Sequence, residues 1–288
     1  MSFNFFEYRL AFHGPLRVGD EHHEAACAWP RLHSDLVYRA LAGAWRELQP
    51  DGQAAPPGWP EKPQLRVSSA LPWVASPGAL APSADGQLLE LAAPGKGPVD
   101  AAAISSAWSV SRRARASFNR RSARRDERFA VSEVRFADNA GLWLGVRFDS
   151  PALRAPFEAV LHYLGDCGIG GGRSTGAGTF RVVGTHEHTA TADTTAAGTL
   201  WCLSRFRPSE AEYADGKLLQ PPARATFSPW PVPGTGSDLG YLGEGTLLAP
   251  HPGLNALAAG TVMHVDLPGR AEKSARAGFL FAVPAPVS

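Results

Sequence analysis

Between residues 168 and 180 the chain reads GIGGGRSTGAGTF, with six glycines in thirteen positions. Residues without a Cβ tolerate positive φ and let backbone N–H groups come close to a phosphate, while Arg173 adds a forked donor and Ser174 and Thr175 add hydroxyls. Gly168, Gly170, Gly171, Gly172, Arg173, Ser174, Thr175 and Gly176 are therefore candidates for gripping a sugar-phosphate chain. The string is not a P-loop, since no Gly-Lys-Ser/Thr follows the glycines, nor a dinucleotide fingerprint, since it leads from a helix into a strand. The competing reading is a tight turn whose glycines serve geometry alone. A second cluster lies at SVSRRARASFNRRSARRDER, residues 109–128, where 8 of the 24 arginines fall between 112 and 128. Arginines interleaved with serines and an aromatic suit phosphate pairing with base stacking, which makes Arg113, Asn119, Arg120 and Arg121 candidates. The alternative for such a run is a solvated loop.

The elements that must carry these residues follow from periodicity. Alternation over residues 3–12 predicts a first strand, then a turn at Gly14-Pro15 and a short extension over Leu16 to Val18. His33-Ser34-Asp35 supplies helix caps, and Leu36, Val37, Ala40, Leu41, Ala44 and Trp45 recur at helical spacing to about Leu48. Residues 49–63 are a Pro/Gly-rich loop, and 65–73 fits a strand. Two strands, 128–136 and 141–148, flank a hairpin-like turn at Asp138-Asn139-Ala140-Gly141. A second helix runs over 151–164, with Ser150 as cap and Pro151 at its first position. The glycine loop follows, then a strand over 179–184. This order is that of a ferredoxin-like βαββαβ unit with an insertion at about 49–127. Residues 186–198 suit a polar linker. Strand candidates at 199–207, 246–249, 261–267 and 278–283 predict a second, smaller β-rich domain over 199–288, after a first domain over 1–185.

The glycine string, of the form G-h-G-G-x-R-S-x-G-x-G-x-F, resembles the loop of the RAMP superfamily of CRISPR RNA-binding proteins. Within it, HSDLVYRALAGAW (33–45) resembles the helix of the fourth Csm subunit, which caps the crRNA 5′ end in type III-A effector complexes. Phe118-Asn119-Arg120, Ser204-Arg205-Phe206-Arg207-Pro208, Gly243-Glu244-Gly245-Thr246 and Arg276-Ala277-Gly278-Phe279 are similar too, so the likeness spans almost the whole chain. It implies an α+β fold of tandem ferredoxin-like, RRM-related domains. It also implies a non-catalytic subunit that holds the 5′ repeat-derived tag of crRNA, with contacts from His33 and Ser34 besides the loop and the basic stretch. The implied partners are crRNA, the large polymerase- and cyclase-like subunit and the backbone RAMP subunit. No cofactor or metal is implied.

A second function reading is a metal-independent crRNA-processing endoribonuclease of the same superfamily, in which a histidine moves the proton. His13, His22, His23 and His33 lie where such a residue could sit, but His33 has a helix-capping explanation and no Tyr or Lys partner is evident. His22-His23-Glu24-Cys27 and His186-Glu187-His188 lack a full metal-ligand set. Trp45, Trp143 and Trp201 fall on apolar faces and are expected in the core. The 288 residues carry a net charge of +1 with 44% hydrophobic and 19% charged residues, which allows a sizeable core and excludes a uniformly basic nucleic-acid coat. Cys27, Cys167 and Cys202 form no CxxC pair, so core thiols are expected instead of a disulfide framework. There is no 18-residue apolar run, and MSFNFFEYRL lacks the pattern of a signal peptide, from which a cytoplasmic protein without membrane partners is expected.

Overall fold

The computed structural model describes residues 2–17, 30–48, 56–119, 124–191, 199–209, 227–228, 241–248, 260–265 and 274–285. The alternating N-terminal segment forms β1 (Ser2–Phe12), and the amphipathic stretch behind His33 forms α1 (Ser34–Leu48). Next come β2 (Leu65–Val74), β3 (Gly78–Pro82), β4 (Leu88–Glu90), the single-turn α2 (Ala101–Ile104), β5 (Trp108–Asn119), β6 (Arg124–Phe136), β7 (Ala140–Phe148), α3 (Arg154–Cys167) and β8 (Phe180–Thr191). The main sheet has the order β4-β3-β2-β7-β1-β8 with antiparallel neighbours. Its four-strand part β2-β7-β1-β8, with α1 and α3 on one face, has the strand order of a ferredoxin-like βαββαβ unit.

The second strand of that unit is β2, not the predicted segment 128–136. That segment belongs to β6, which pairs with β5 in a separate two-stranded ribbon. The turn after it, closed by Ala140 N–H donating to Ala137 O (3.0 Å), passes the chain from the ribbon into the sheet instead of joining a hairpin. The reason is apolar content: β2 is buried along its whole length, as a central strand must be, whereas β6 opens on the charged run Arg124 to Arg128 and carries Glu133 and Arg135 further on. The expected linker at 186–198 is likewise strand to Thr191, because β1 begins at Ser2 and offers backbone partners as far as Phe5↔His188 and Ser2↔Thr191.

Strand alternation divides the core in two. Tyr8, Leu10, Leu142, Leu144 and Val146 meet Val37, Leu41 and Trp45 of α1 and Phe157, Val160, Leu161 and Leu164 of α3. Phe5, Leu71, Trp73 and Trp143 face the opposite side. A bulge between Val67 and Ala70 shifts β2 out of phase, turning Ser68 and Ser69 inward.

The remaining strands are β9 (Leu200–Cys202), β10 (Phe227–Ser228), β11 (Tyr241–Leu242), β12 (Leu247–Leu248), β13 (Gly260–Val265), β14 (Ser274–Phe279) and β15 (Ala282–Pro284). They pair as β12-β9-β15, β10-β11 and β13-β14. Ala277 and Phe279 of β14 join the helix-side core, while Trp201, Leu203, Phe281 and Val283 cover the opposite face of the sheet. Trp45, Trp143 and Trp201 are all core residues, as their apolar faces predict. Cys202 is buried and Cys167 half-buried; Cys27 lies outside the described residues.

Candidate nucleic-acid interface

The glycine string leaves α3 at Gly168, where φ of 81° ends the helix while its N–H donates to Leu164 O (2.8 Å). It is stitched at its base by Ile169 N–H to Gly178 O (3.0 Å), and Ile169 and Ala177 are buried. Three glycines are obligatory for space as well as for φ: a Cβ on Gly178 would stand 1.9 Å from Ile169 O, one on Gly170 2.4 Å from Arg17 O, and one on Gly168 2.5 Å from Ala177 O. Residues 171–176 form an exposed shelf containing one turn of 3₁₀ helix over Arg173–Thr175. On it, Thr175 Oγ1 donates to Gly172 O (2.8 Å) and Arg173 Nε to Cys167 O (3.3 Å). Among the described residues, the N–H groups of Gly172, Arg173 and Ser174 meet no acceptor. Gly171 departs from the expectation that it presents its N–H to a phosphate, because that N–H donates to Arg17 O (2.8 Å).

A strap over residues 13–17 joins this loop to the ribbon. On one side His13 N–H donates to Thr179 O (3.0 Å), and Pro15 O accepts from Gly178 N–H (3.0 Å). On the other, Leu16 and Val134 of β6 exchange backbone bonds of 2.8 and 2.9 Å. The buried Arg17 guanidinium then lies on the fully buried Glu133 carboxylate, Nη2 at 2.7 Å and Nε at 2.9 Å from Oε1. The second oxygen of Glu133 is 3.9 Å from Nη1 of the exposed Arg113. A Cβ on Gly172 would stand 2.3 Å from Arg17 Nη1, so the shelf abuts the same guanidinium. Arg113 and the glycine shelf, distant in sequence, thus converge through Arg17 and Glu133. Arg112 is also exposed at the ribbon root, Asn119 ends β5 paired with Arg124, and Arg120 and Arg121 lie outside the described residues. The described parts of the basic stretch, 109–119 and 124–128, are the two strands of a β-ribbon.

Neither Arg17 nor Glu133 is among the residues predicted from motifs. One lone arginine after Gly14-Pro15-Leu16 and one glutamate in an arginine-rich strand, 116 positions apart, carry no spacing signal that would link them.

His33 and Ser34 lie apart from the shelf and the ribbon root: both are buried beneath the C-terminal strands. His33 Nδ1 is 2.8 Å from Glu244 Oε1, and Arg31 Nε donates to His33 Nε2 at 3.4 Å. Ser69, re-aimed by the β2 bulge, donates its hydroxyl to the same Glu244 oxygen and accepts the Ser34 N–H (2.9 Å). Arg205 donates its backbone N–H to Ser34 Oγ (3.0 Å) and Nη1 to Asp35 Oδ1 (3.3 Å). Ser204 Oγ bridges Phe279 O and Phe281 N–H, each at 2.9 Å. Burial lowers the His33 pKa, which leaves a neutral ring that donates Nδ1–H to Glu244. Burial, the largest single effect, pushes the Glu244 carboxyl up, but His33, Arg31 and Arg205 together hold it well below the usual carboxylate range.

The sheet face opposite the helices is closed too. Phe281 lies so close over Gly145 that a Cβ there would be 2.8 Å from its ring. At the β1–β8 edge, His188 stacks on Phe5 and bonds Glu7 (2.6 Å), which Arg9 also pairs (2.7 Å). His186-Glu187-His188 gathers no metal-ligand set, and no group of three such residues occurs among the described residues. His22, His23, Glu24 and Cys27 lie outside them, and no described helix is long and apolar enough to cross a membrane.

No family model matches the sequence, and no curated protein matches it. Solved structures do. A chain in the crystal structure of a Csm1-Csm4 cassette in complex with pppApA superposes with a TM-score of 0.59 at 13% identity, covering 99% of each chain. A chain in the Csm3-Csm4 subcomplex of the type III-A CRISPR-Cas interference complex gives 0.60 at 8% identity, over 99% of this chain and 100% of that one. The Csm1-Csm4 cassette in complex with cA4 gives 0.57 at 14% over 99% of each. At these identities the likeness is one of fold: this chain has, from end to end, the α+β fold of those chains.

Proposed function

We propose that this chain is the non-catalytic subunit of a type III-A (Csm) CRISPR ribonucleoprotein that binds the 5′ repeat-derived tag of crRNA and joins the large polymerase-like subunit to the backbone subunits in antiviral defence. The observation that carries this is the end-to-end likeness, 99% of this chain against both a Csm1-Csm4 and a Csm3-Csm4 structure, whose common named component is Csm4. On this reading the fold is a tandem of ferredoxin-like domains, a first over 1–185 with its ribbon-bearing insertion and a smaller RRM-like one over 199–288. The glycine shelf with Arg173, and the ribbon with Arg113, take the phosphates. A phosphate grip of this type needs exposed donors on rigid backbone, and residues 171–176 above their buried anchor supply both.

The endoribonuclease reading has less support. Its best candidate, His33, is buried, neutral and committed at both ring nitrogens, so it cannot reach a ribose hydroxyl. Footprinting of the 5′ tag in the complex assembled with the large and backbone subunits tests the proposal. Protection is expected with the parent chain, and weakened protection with Arg173→Ala and Arg113→Ala. An unprotected tag overturns the RNA-binding reading. Site-specific cleavage of repeat RNA by the purified chain in EDTA, abolished in His33→Ala, favours the enzyme.

A further inference from the structure

We infer that Arg17 is a positioning residue for the nucleic-acid site, its buried ion pair with Glu133 fixing the root of the β5–β6 ribbon against the glycine shelf so that Arg113 and Arg173 grip one RNA backbone together. This rests on the RNA-binding reading above. Arg17 is too buried to meet a phosphate, and its Nε and Nη2 are both spent on Glu133. Its backbone carbonyl holds Gly171, its guanidinium walls Gly172, and its neighbour Leu16 is paired to Val134. Three positions of β6 are tied in this way: Phe136 by stacking on Phe12 (5.2 Å), Val134 by the Leu16 bridge and Glu133 by Arg17. A buried ion pair is a poor device for stability, because desolvating both charges offsets most of their attraction, but it fixes geometry where an apolar contact would slide. Glu133 sits between the two guanidinium groups and so sets the distance from Arg113 to the shelf.

The experiment measures equilibrium binding of the full chain to an RNA oligonucleotide made of the repeat-derived tag plus several spacer nucleotides, across a salt series. Thermal melts establish folding of each variant. Arg17→Ala and Glu133→Gln should each weaken binding about ten-fold and lower the salt slope, although neither side chain touches RNA. Arg17→Lys, which keeps the charge, should restore part of the loss. In the Arg17→Ala background, Arg113→Ala should cost much less than it does alone. Parent-like affinity and slope in folded Glu133→Gln and Arg17→Ala, or additivity with Arg113→Ala, overturns the inference. If the parent itself binds no RNA, it is the RNA-binding reading that fails, and the positional coupling is decided by amide exchange. Faster exchange at Leu16, Val134 and Gly171 in Glu133→Gln then supports the coupling, and unchanged exchange refutes it.

Discussion

Three glycines of one loop should respond very differently to the same added methyl group. Gly176 (φ 75°) and Gly178 (φ 73°) share a left-handed backbone, but a Cβ on Gly176 has open space, while one on Gly178 would overlap Ile169 O at 1.9 Å and approach Ile169 N at 2.9 Å. Gly171 is not left-handed, and its Cβ would make only ordinary contact, 3.6 Å from Arg17 Cβ. Gly176→Ala therefore carries only the left-handed penalty, about 1–2 kcal/mol. Gly178→Ala adds the loss of the 3.0 Å Ile169–Gly178 bond, about 1 kcal/mol, and a backbone displacement of a similar or larger size, about 3–5 kcal/mol in all. Gly171→Ala should be close to neutral. At about 2–4 °C per kcal/mol for a chain somewhat smaller than this one, Gly178→Ala should melt roughly 6–20 °C below the parent and Gly176→Ala roughly 2–8 °C below it. Calorimetry on the three variants checks this. Equal shifts for Gly176→Ala and Gly178→Ala would show that space plays no part, and a large shift for Gly171→Ala would refute the loop geometry itself.

Acid should destabilise the joint between the halves. His33 has a folded pKa below its ordinary 6.5 because it is buried, so below about pH 6.5 the unfolded chain takes up a proton that the folded one refuses; stability then falls by up to about 1.4 kcal/mol per pH unit. Glu244, lowered from 4.5, contributes stability that is present above pH 4.5 and lost as pH falls through its folded pKa, so both groups act in the same direction. Melts from pH 8 to 5 should show the decline, and His33→Asn should flatten its upper part. Arg173→Ala, at an exposed position, should leave the melt unchanged but weaken RNA retention by about 1.5–3 kcal/mol, read as at least a ten-fold loss with a shallower salt dependence for every tag sequence. Trp45→Ala, deleting a buried indole from under α1, should destabilise by about 3–5 kcal/mol, measured by denaturant unfolding.

Where periodicity was strong, local pattern was enough to read the element. The alternation of 3–12 became β1, the helical spacing behind His33 became α1, and Ser150-Pro151 opens the turn that leads into α3, with Ser150 Oγ accepting the Ala152 N–H (3.3 Å). What local pattern could not supply was partnership. Residues 65–73 and 128–136 both look like strands, and only the count of apolar neighbours available in the folded sheet decides that the first is central and the second stands in the ribbon. The same holds for 186–191, a polar stretch made strand by the edge of β1 and by Glu7, which takes His188 from 181 positions along the chain. The exposed part of the candidate site was legible because glycine and arginine declare themselves by type. Its buried support, Arg17 with Glu133, was not, because each is a single charged residue whose meaning appears only when the strap is laid between loop and ribbon.

The motifs that resemble one family therefore divide into two physical kinds. His33-Ser34-Asp35, Ser204-Arg205, Gly243-Glu244-Gly245-Thr246 and Ala277-Gly278-Phe279 lie far apart in sequence and meet in one buried region, where Glu244 receives His33 and Ser69, Arg205 receives Ser34 and Asp35, and Gly278 O accepts the Arg207 N–H (2.9 Å). Gly245 (φ 92°) packs its turn so closely on Ser83 O that a Cβ would lie 2.5 Å away. The donors of His33, Ser34, Ser69 and Arg205 are spent within this network, which fixes how the C-terminal strands lie on the ferredoxin-like sheet. The glycine shelf and the ribbon root are the opposite kind, exposed donors on a rigid base. If this division is right, Glu244→Gln, which removes the charge that His33, Arg31 and Arg205 surround, should lower the melting temperature while leaving the salt slope of RNA binding unchanged, whereas Arg113→Ala should do the reverse. A Glu244→Gln chain that melts like the parent but has a reduced salt slope would place the joint in the RNA site and undo the separation.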